Sequence, residues 1–123
     1  MKNYNKYGLA VIEAAEIGGN PVDSWEQAVS TYFTSESSKQ KACPRNTFLG
    51  LCEEGLVKEV PKGNYTNSVK NKEYALKAIE ILKGHKATTF SPKELWEKLA
   101  LGEKKHNSQM DVVLALWEND LIK

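Results

Sequence analysis

The chain has 123 residues, of which 17 are basic and 16 acidic, so its formal net charge is +1. Hydrophobic residues make up 41% of the sequence, a fraction that supports a packed core and excludes a disordered chain. Residues 1–7 are mostly polar, and the longest apolar run covers only residues 112–117. The sequence therefore predicts neither a signal peptide nor a membrane span, and we expect a cytoplasmic protein with no membrane partner.

Two helices are predicted first along the chain. An apolar stripe that ends at a glycine pair predicts a first helix from about Tyr4 to Ile17. Asp23, followed three residues later by Glu26, forms a capping box for a second helix that runs to Phe33.

A third helix and a hairpin are predicted next. Pro44 suits the first turn of a helix, and this helix should end at Gly55. Residues 56–60 then alternate between apolar and charged side chains, as in a strand. Glycine and asparagine follow as turn residues, and residues 65–69 can return as the second strand of a β-hairpin.

Three more helices are predicted in the second half, without a hairpin. The first runs from about Lys72 to Lys83 and ends at a glycine. Ser91 and the proline after it are strong signals for the start of the next helix. Asn107 or Ser108 should cap the last helix, which carries an apolar face to the end of the chain.

Blocks of residues recur along the chain with similar offsets of 67, 71 and 65 residues. The offsets change between predicted helices, where insertions are tolerated. Amphipathic helices resemble one another in any case, but a paired Trp-Glu with proline four positions earlier favours true duplication. The matched residues are Tyr7, Leu9, Ile12 and Glu13 with Tyr74, Leu76, Ile79 and Glu80; Pro21, Trp25 and Glu26 with Pro92, Trp96 and Glu97; and Leu49, Leu51, Glu53, Leu56 and Lys58 with Leu114, Leu116, Glu118, Leu121 and Lys123.

Three helices followed by a two-stranded hairpin form the element order of the winged helix-turn-helix family. Residues 39–69 resemble its recognition helix and wing, and residues 107–123 resemble a copy without the wing. The resemblance implies a mainly α fold of tandem winged-helix-like three-helix units with one small β-hairpin. The units would be residues 1–70 and 71–123, or both would form one compact domain. Residues 43–53 also resemble small uncharacterised bacterial proteins, a likeness that carries no activity.

Local charge points to a nucleic-acid interface in the first unit. Residues 39–52 and 61–72 each contain three basic residues and no acid, and in a winged helix they would be the start of the recognition helix and the wing. Phosphates bind to cations and to free amides at helix N-termini. Arg45 or Asn46 could read base edges, and Gly50 would let the helix approach a groove. The predicted nucleic-acid-binding residues are Lys39, Lys41, Arg45, Asn46, Lys62 and Tyr65.

The resemblance therefore implies a non-enzymatic protein that binds double-stranded DNA, with a bacterial regulator as its expected role. The alternative is a protein-interaction or oligomerisation module, with a protein partner or a homodimer. Residues 1–61 carry six basic and eight acidic residues, a net charge of −2, which is a weak basic footprint for a DNA-binding protein. In the second unit Asp111 and Glu118 would repel phosphate, so we expect that copy to pack or dimerise.

Neither an enzyme nor a cofactor or metal is predicted. Cys43 is the candidate for covalent chemistry, but the two histidines lie far along the chain from it. Cys43 and Cys52 should be about 13 Å apart on one helix, too far for a disulfide. Their spacing, with His85 and His106 each alone, matches no zinc-binding pattern.

Overall fold

The computed structural model describes residues 4–123 and has seven helices in that range. In the described range all but the short α3 contribute buried side chains to one hydrophobic core. No helix among these residues combines the length and the apolar composition that a bilayer span requires. The helices are α1 (Lys6–Ile17), α2 (Pro21–Tyr32), α3 (Glu36–Lys39), α4 (Ala42–Glu53), α5 (Val69–Gly84), α6 (Pro92–Lys98) and α7 (Gln109–Glu118).

The predicted β-hairpin does not form, so the winged-helix-like fold prediction is wrong, although its mainly helical part is confirmed. Within the described residues, β pairing is limited to an isolated antiparallel bridge between Val57 and Ile122. The alternating residues 56–60 thus pair with the end of the chain and not with their own neighbours. The alternation shows that a segment is half-buried, but it does not show which segment will be its partner.

Residues 61–68, which we call the strap, lie along α4 where a wing had been predicted. The Oε1 atom of Glu53 accepts hydrogen bonds from the backbone N–H of Tyr65 at 2.8 Å and of Thr66 at 3.2 Å. The Thr66 hydroxyl donates to Asn46 Oδ1 at 2.7 Å. Because α4 side chains bind these strap groups, the amides of Tyr65 and Thr66 are not available for the ladder of a second strand.

The helix starts agree with the local sequence signals at α6 but not at α2 and α4. Asn20 caps α2 by accepting from the N–H of Val22 at 2.9 Å, so α2 begins earlier than the predicted cap at Asp23. α4 begins at Ala42, two residues before the predicted proline. The predicted start of α6 is confirmed, since Ser91 and Glu94 form a complete capping box.

The ends of α4 and α7 are joined by reciprocal hydrogen bonds. The N–H of Lys58 donates to the carbonyl of Leu121 at 2.9 Å, and the N–H of Lys123 donates to the carbonyl of Leu56 at 2.8 Å. Lys58 and Lys123 are 65 positions apart, and so are Leu56 and Leu121. Equivalent residues of the third sequence block therefore exchange equivalent bonds, as in a local two-fold arrangement.

The helices of the two halves are also interleaved. α1 packs against α7, and α5 packs against α4. At the first contact a Cβ on Gly8 would lie 3.5 Å from the Cβ of Ala115, and at the second a Cβ on Gly50 would lie 2.9 Å from the Cα of Lys72. Gly50 thus allows α5, and not DNA, to approach α4. All of the described helices except α3 share one hydrophobic core. The division into units 1–70 and 71–123 stays a prediction.

The paired tryptophans are both buried, but their surroundings differ. Trp25 is 1% exposed and stacks on Phe48, with ring centroids 5.6 Å apart. Trp96 is 9% exposed, meets Tyr74 edge-on, and donates its indole N–H to the carbonyl of Lys104 at 3.1 Å. The indole nitrogen of Trp25 has no partner among the described residues. The two halves thus match at the ends of α4 and α7 but differ around the tryptophans.

Candidate functional site

The predicted nucleic-acid-binding residues lie at opposite ends of α4. Lys39 and Lys41 precede its N-terminus, and Lys62 and Tyr65 belong to the strap near its C-terminus. The aliphatic part of Lys62 packs over Gly55, beyond the last turn of α4. A helix of 12 residues is about 18 Å long, so Lys39 and Lys41 lie far from Lys62, and the assignment of all six residues to one interface stays a prediction.

Most of α4 is not available as a recognition helix. Residues 47–52 are buried, whereas in the first turn Ala42 is exposed and Arg45 and Asn46 are half-buried. Asn46 is also occupied by its hydrogen bond from the strap. Because α5 and α7 cover the body of α4, this helix cannot lie lengthwise in a DNA groove, as a recognition helix does. Only its N-terminal turn can contact a polyanion.

The C-terminal end of α4 is a surface of mixed charge. Lys72 binds the carboxylates of Glu53 and Glu54, each at 2.7 Å. The Lys72 ammonium, followed by the two strap amides, lowers the pKa of Glu53 to about 2. Glu53 is therefore ionised at neutral pH. It would repel phosphate close to Lys62, which weakens the case for the strap as a nucleic-acid contact.

The N-terminal end of α4 is more basic. Lys39 makes a 3.5 Å ion pair with Glu36, which is itself highly exposed. Because the Glu36 side chain is 79% exposed, the pair contributes less than about 1 kcal/mol, although the Lys39 side chain is itself only 20% exposed. The ammonium of Lys41 lies 5.6 Å from the centroid of the Tyr7 ring, which fixes its position without neutralising it.

A groove of about 310 Å³ lies beside this end of α4, and we call it the basic groove. Its described lining contains no Asp or Glu, and its three charged residues are all lysines. Two of these lysines lie in the loop before α7, and the third lies in the first turn of α5. Its lining includes Lys70, Lys104, Lys105, Cys43, Tyr74 and Gln109.

Three helices begin at the basic groove. Cys43 lies in the first turn of α4, Lys70 in the first turn of α5, and Gln109 is the first residue of α7. Within residues 4–123, the N-cap side chains of these three helices make no hydrogen bond to the first turn, whereas α1, α2, α3 and α6 are all capped in this way. Helix N-termini carry a partial positive charge, so their convergence adds to the field of the lysines.

The start of α7 is closed by a histidine. His106 Nε2 accepts the N–H of Met110 at 3.0 Å, so the neutral ring carries its proton on Nδ1. Desolvation lowers the pKa of His106, although Asp111 lies 3.8 Å away. The histidine is therefore neutral at pH 7 and adds no charge, and the helix starts open to an anion are those of α4 and α5.

Buried amide side chains form the floor of the basic groove. Gln109 donates to Asn71 Oδ1 at 3.3 Å, and Asn71 donates to the Ser68 hydroxyl at 2.9 Å. Gln109 also accepts the backbone N–H of Asn107. These bonds hold the floor in place, and the indole of Trp96 holds the backbone of Lys104 at the rim. The lysines are thus presented from a preorganised frame.

The sequence prediction missed Lys70, Lys104 and Lys105 as parts of one site. The repeat contained a signal for Lys104, which lies 65 positions after Lys39, the offset of the third block. Lys70 belongs to the basic segment 61–72 that the sequence predicts as a wing, whereas in the structure it lies in the first turn of α5. Composition alone could not reveal that these segments meet beside α4.

Neither cysteine is in a disulfide, as predicted for both. Cys43 is half-buried in the basic groove, whereas Cys52 is fully buried in the core, and burial raises the pKa of its thiol. In the part of the chain that the structure describes, no group of three or more metal-ligating side chains could hold an ion.

Comparison with known proteins gives a family but no activity. No curated protein and no solved structure matches the chain. The sequence model of a family described as a family of unknown function, DUF6979, matches residues 1–123. This match lends no support to the winged-helix resemblance. Because it covers the whole sequence, the chain belongs to the DUF6979 family.

Proposed function

We propose that this protein binds nucleic acid through the basic groove and the adjoining first turn of α4. The observation that carries the proposal is the meeting of Lys70, Lys104 and Lys105 with the uncapped starts of α4 and α5. Lysines and helix N-termini are common ligands of phosphate oxygens. Arg45 and Lys41 extend the same basic end of α4 beyond the groove.

The geometry favours contact with the phosphate backbone over reading of base edges. The body of α4 is covered, and Asn46, one of the two residues predicted to read bases, is bound to the strap. Backbone contacts position a protein on nucleic acid but carry little sequence information. We therefore expect weak, salt-sensitive and largely non-specific binding to double-stranded DNA. A regulatory role and a cytoplasmic location belong to the same proposal.

The test removes positive charge from the basic groove and compares the effect on binding with removal of the same charge elsewhere on the surface. The double variant K104Q/K105Q removes two groove lysines, and K83Q/K86Q removes two exposed lysines outside the basic groove. Binding of a short generic duplex is followed by fluorescence anisotropy from about 50 mM salt upwards. Loss of two phosphate contacts should lower the slope of log K against log salt by about two units in the groove variant. The control variant should keep the wild-type slope.

Two results would contradict the proposal. The first is absence of any binding at about 50 mM salt, because non-specific attraction is strongest there. The second is an equal loss of slope in K83Q/K86Q, since this would mean that total charge, and not the basic groove, drives association.

A second candidate function is the protein-interaction or oligomerisation module. It is favoured by the exposure of large apolar side chains, with Val69 65%, Ile17 45% and Leu9 38% exposed. Leu9 and Ile17 are eight positions apart in α1, so they lie on one face of that helix. Analytical ultracentrifugation tests this function, which predicts a dimer that persists at high salt and is lost in the L9S/I17S variant. A monomer at all concentrations would argue against self-association.

A further inference from the structure

The basic groove is lined by aromatic rings as well as by lysines. Tyr74 and Trp96 both belong to its lining, with their ring centroids 5.5 Å apart and their planes 86° apart. Two rings at nearly a right angle form a corner, where a flat group can lie on one ring and touch the other with its edge. Trp96 is nearly buried, whereas Tyr74 is half-buried, so Tyr74 offers the more accessible ring surface.

The matching tyrosine in the first half of the chain shows what covers such a ring. Tyr7 matches Tyr74 in the first repeated block, and it is only 8% exposed. The ring of Phe33 lies 4.5 Å from the Tyr7 ring and is tilted from it by 32°, and the ammonium of Lys41 lies 5.6 Å from its centroid. The chain itself thus covers Tyr7 with an aromatic ring and a cation.

Lysines are held close to the Tyr74 ring. Lys70 lies one turn before Tyr74 in α5, so the two side chains lie on the same face of that helix. The indole N–H of Trp96 donates to the carbonyl of Lys104 at 3.1 Å, which fixes the backbone of this lysine beside the aromatic corner. A nucleotide combines a flat base with a phosphate a short distance away. The ring and the neighbouring ammonium groups match that combination.

The size and the floor of the basic groove also suit a single nucleotide. Its volume of about 310 Å³ is at the lower end of the range for small-ligand sites. The floor is made of the amides of Asn71 and Gln109, and amides can bond to the donors and acceptors on base edges. A base inside a duplex is paired and stacked, so it must leave the stack before it can enter a pocket of this kind.

We infer that the basic groove takes an unpaired nucleotide of a nucleic-acid strand, with the base on the Tyr74 ring and the flanking phosphates on the groove lysines. The inference rests on the proposed function and names the form of nucleic acid that the groove prefers, which is single-stranded. The occupant is a strand and not a free nucleotide, because the basic surface continues beyond the groove at Lys41 and Arg45. Further phosphates of the same strand lie there.

A preference for single strands separates ring contact from attraction by charge alone. Double-stranded DNA carries about twice as many phosphates per unit length as one of its strands. A surface that used only its lysines would therefore bind the duplex more tightly than a single strand of the same length. Stacking on an aromatic side chain reverses this order, because the bases of a single strand are accessible and those of a duplex are not.

The test compares three labelled ligands of the full-length protein by fluorescence anisotropy at about 50 mM salt. They are a thymidine strand of about twelve nucleotides, a strand of the same length in which every nucleotide lacks its base, and a duplex of that length. The first two carry the same phosphates. We expect the thymidine strand to bind at least about fivefold more tightly than either of the others, because stacking of one base has an effect of this size.

Protein variants assign the effect to one ring. Y74L removes the ring and should weaken binding of the thymidine strand by about fivefold or more, while binding of the duplex and of the abasic strand changes by less than about twofold. Y74F keeps the ring and should bind as the wild type does. The control Y32L makes the same substitution at a half-buried tyrosine outside the groove lining. K104Q/K105Q should weaken binding of all three ligands, because each contributes phosphates.

Equal binding of the thymidine and abasic strands would overturn the inference, and this comparison does not depend on the folding of any variant. Binding of the duplex as tightly as the thymidine strand, or an equal effect of Y74L and Y32L, would overturn it too. Displacement of the strand by about 1 mM thymidine monophosphate would show that a free nucleotide is the ligand. In each of these cases the proposed function stands if the duplex still binds and K104Q/K105Q weakens it. Absence of binding by all three ligands would overturn both.

Discussion

Replacing Glu53 with glutamine tests the contact that holds the strap on α4. The Glu53 carboxylate accepts the Lys72 ammonium and two backbone N–H groups, and its side chain is only 14% exposed. These bonds, led by that of Lys72, hold its pKa at about 2, compared with an ordinary value of 4.5. One pKa unit corresponds to about 1.4 kcal/mol, so about 3 kcal/mol is the upper limit for the contribution of the charge.

Solvent screening lowers that limit, because the Lys72 side chain is 23% exposed. We expect E53Q to reduce the free energy of unfolding at pH 7 by about 2 kcal/mol, measured by urea denaturation. The matched control is E54Q, since Glu54 binds the same lysine at 2.7 Å but is 40% exposed. Its loss should stay below about 1 kcal/mol.

The pH dependence gives the decisive readout. The folded-state pKa of Glu53 is lower than its unfolded value, so its stabilisation is present above about pH 4.5 and is lost as the pH falls towards 2. The difference between wild type and E53Q should therefore shrink to less than about half at pH 3. The reasoning would be refuted if E53Q were no more destabilising than E54Q at pH 7, or if its effect did not change with pH.

Two further predictions concern packing and the thiols. The variant G50A places a Cβ 2.9 Å from the Cα of Lys72 and should lower the free energy of unfolding by about 1–3 kcal/mol in a thermal or urea melt. The control is G84A, where no described atom lies within 4 Å of the added Cβ, and it should be neutral or up to about 1 kcal/mol more stable. Iodoacetamide should label the half-buried Cys43 in the native protein and the buried Cys52 only after unfolding; an intramolecular disulfide by mass spectrometry, or stoichiometric zinc, would contradict this.

The helices could be predicted from the sequence because their signals are local. Apolar periodicity, caps and terminal glycines together located the six helices other than the four-residue α3, and the capping box at Ser91 fixed the start of α6. The start of α2 was misplaced, because Asn20 and Asp23 are both good caps and only the chain geometry selects the first. Local patterns thus determine which segments are helical more reliably than where each helix begins.

The wing could not be predicted correctly from the same kind of signal. The residues of the strap favour a hairpin by themselves, but Glu53 lies 12 residues before Tyr65 and binds its amide. The bridge partner of Val57 is Ile122, which lies 65 residues further along the chain. The basic groove could not be predicted for the same reason, because Lys70 and Lys104 come from distant segments that meet only in the folded molecule. Long-range pairing of this kind leaves no local pattern.

The packing of α1 on α7 has a consequence for how the chain folds. These helices are separated by about a hundred residues of sequence, and the loop between them must close before their contacts can form. A high mean separation of contacting residues slows folding. We therefore expect this helical protein to fold more slowly than an up-and-down bundle of the same length. We also expect the side of α1 that packs on α7 to stay exposed to water in a nascent chain until α7 has been synthesised.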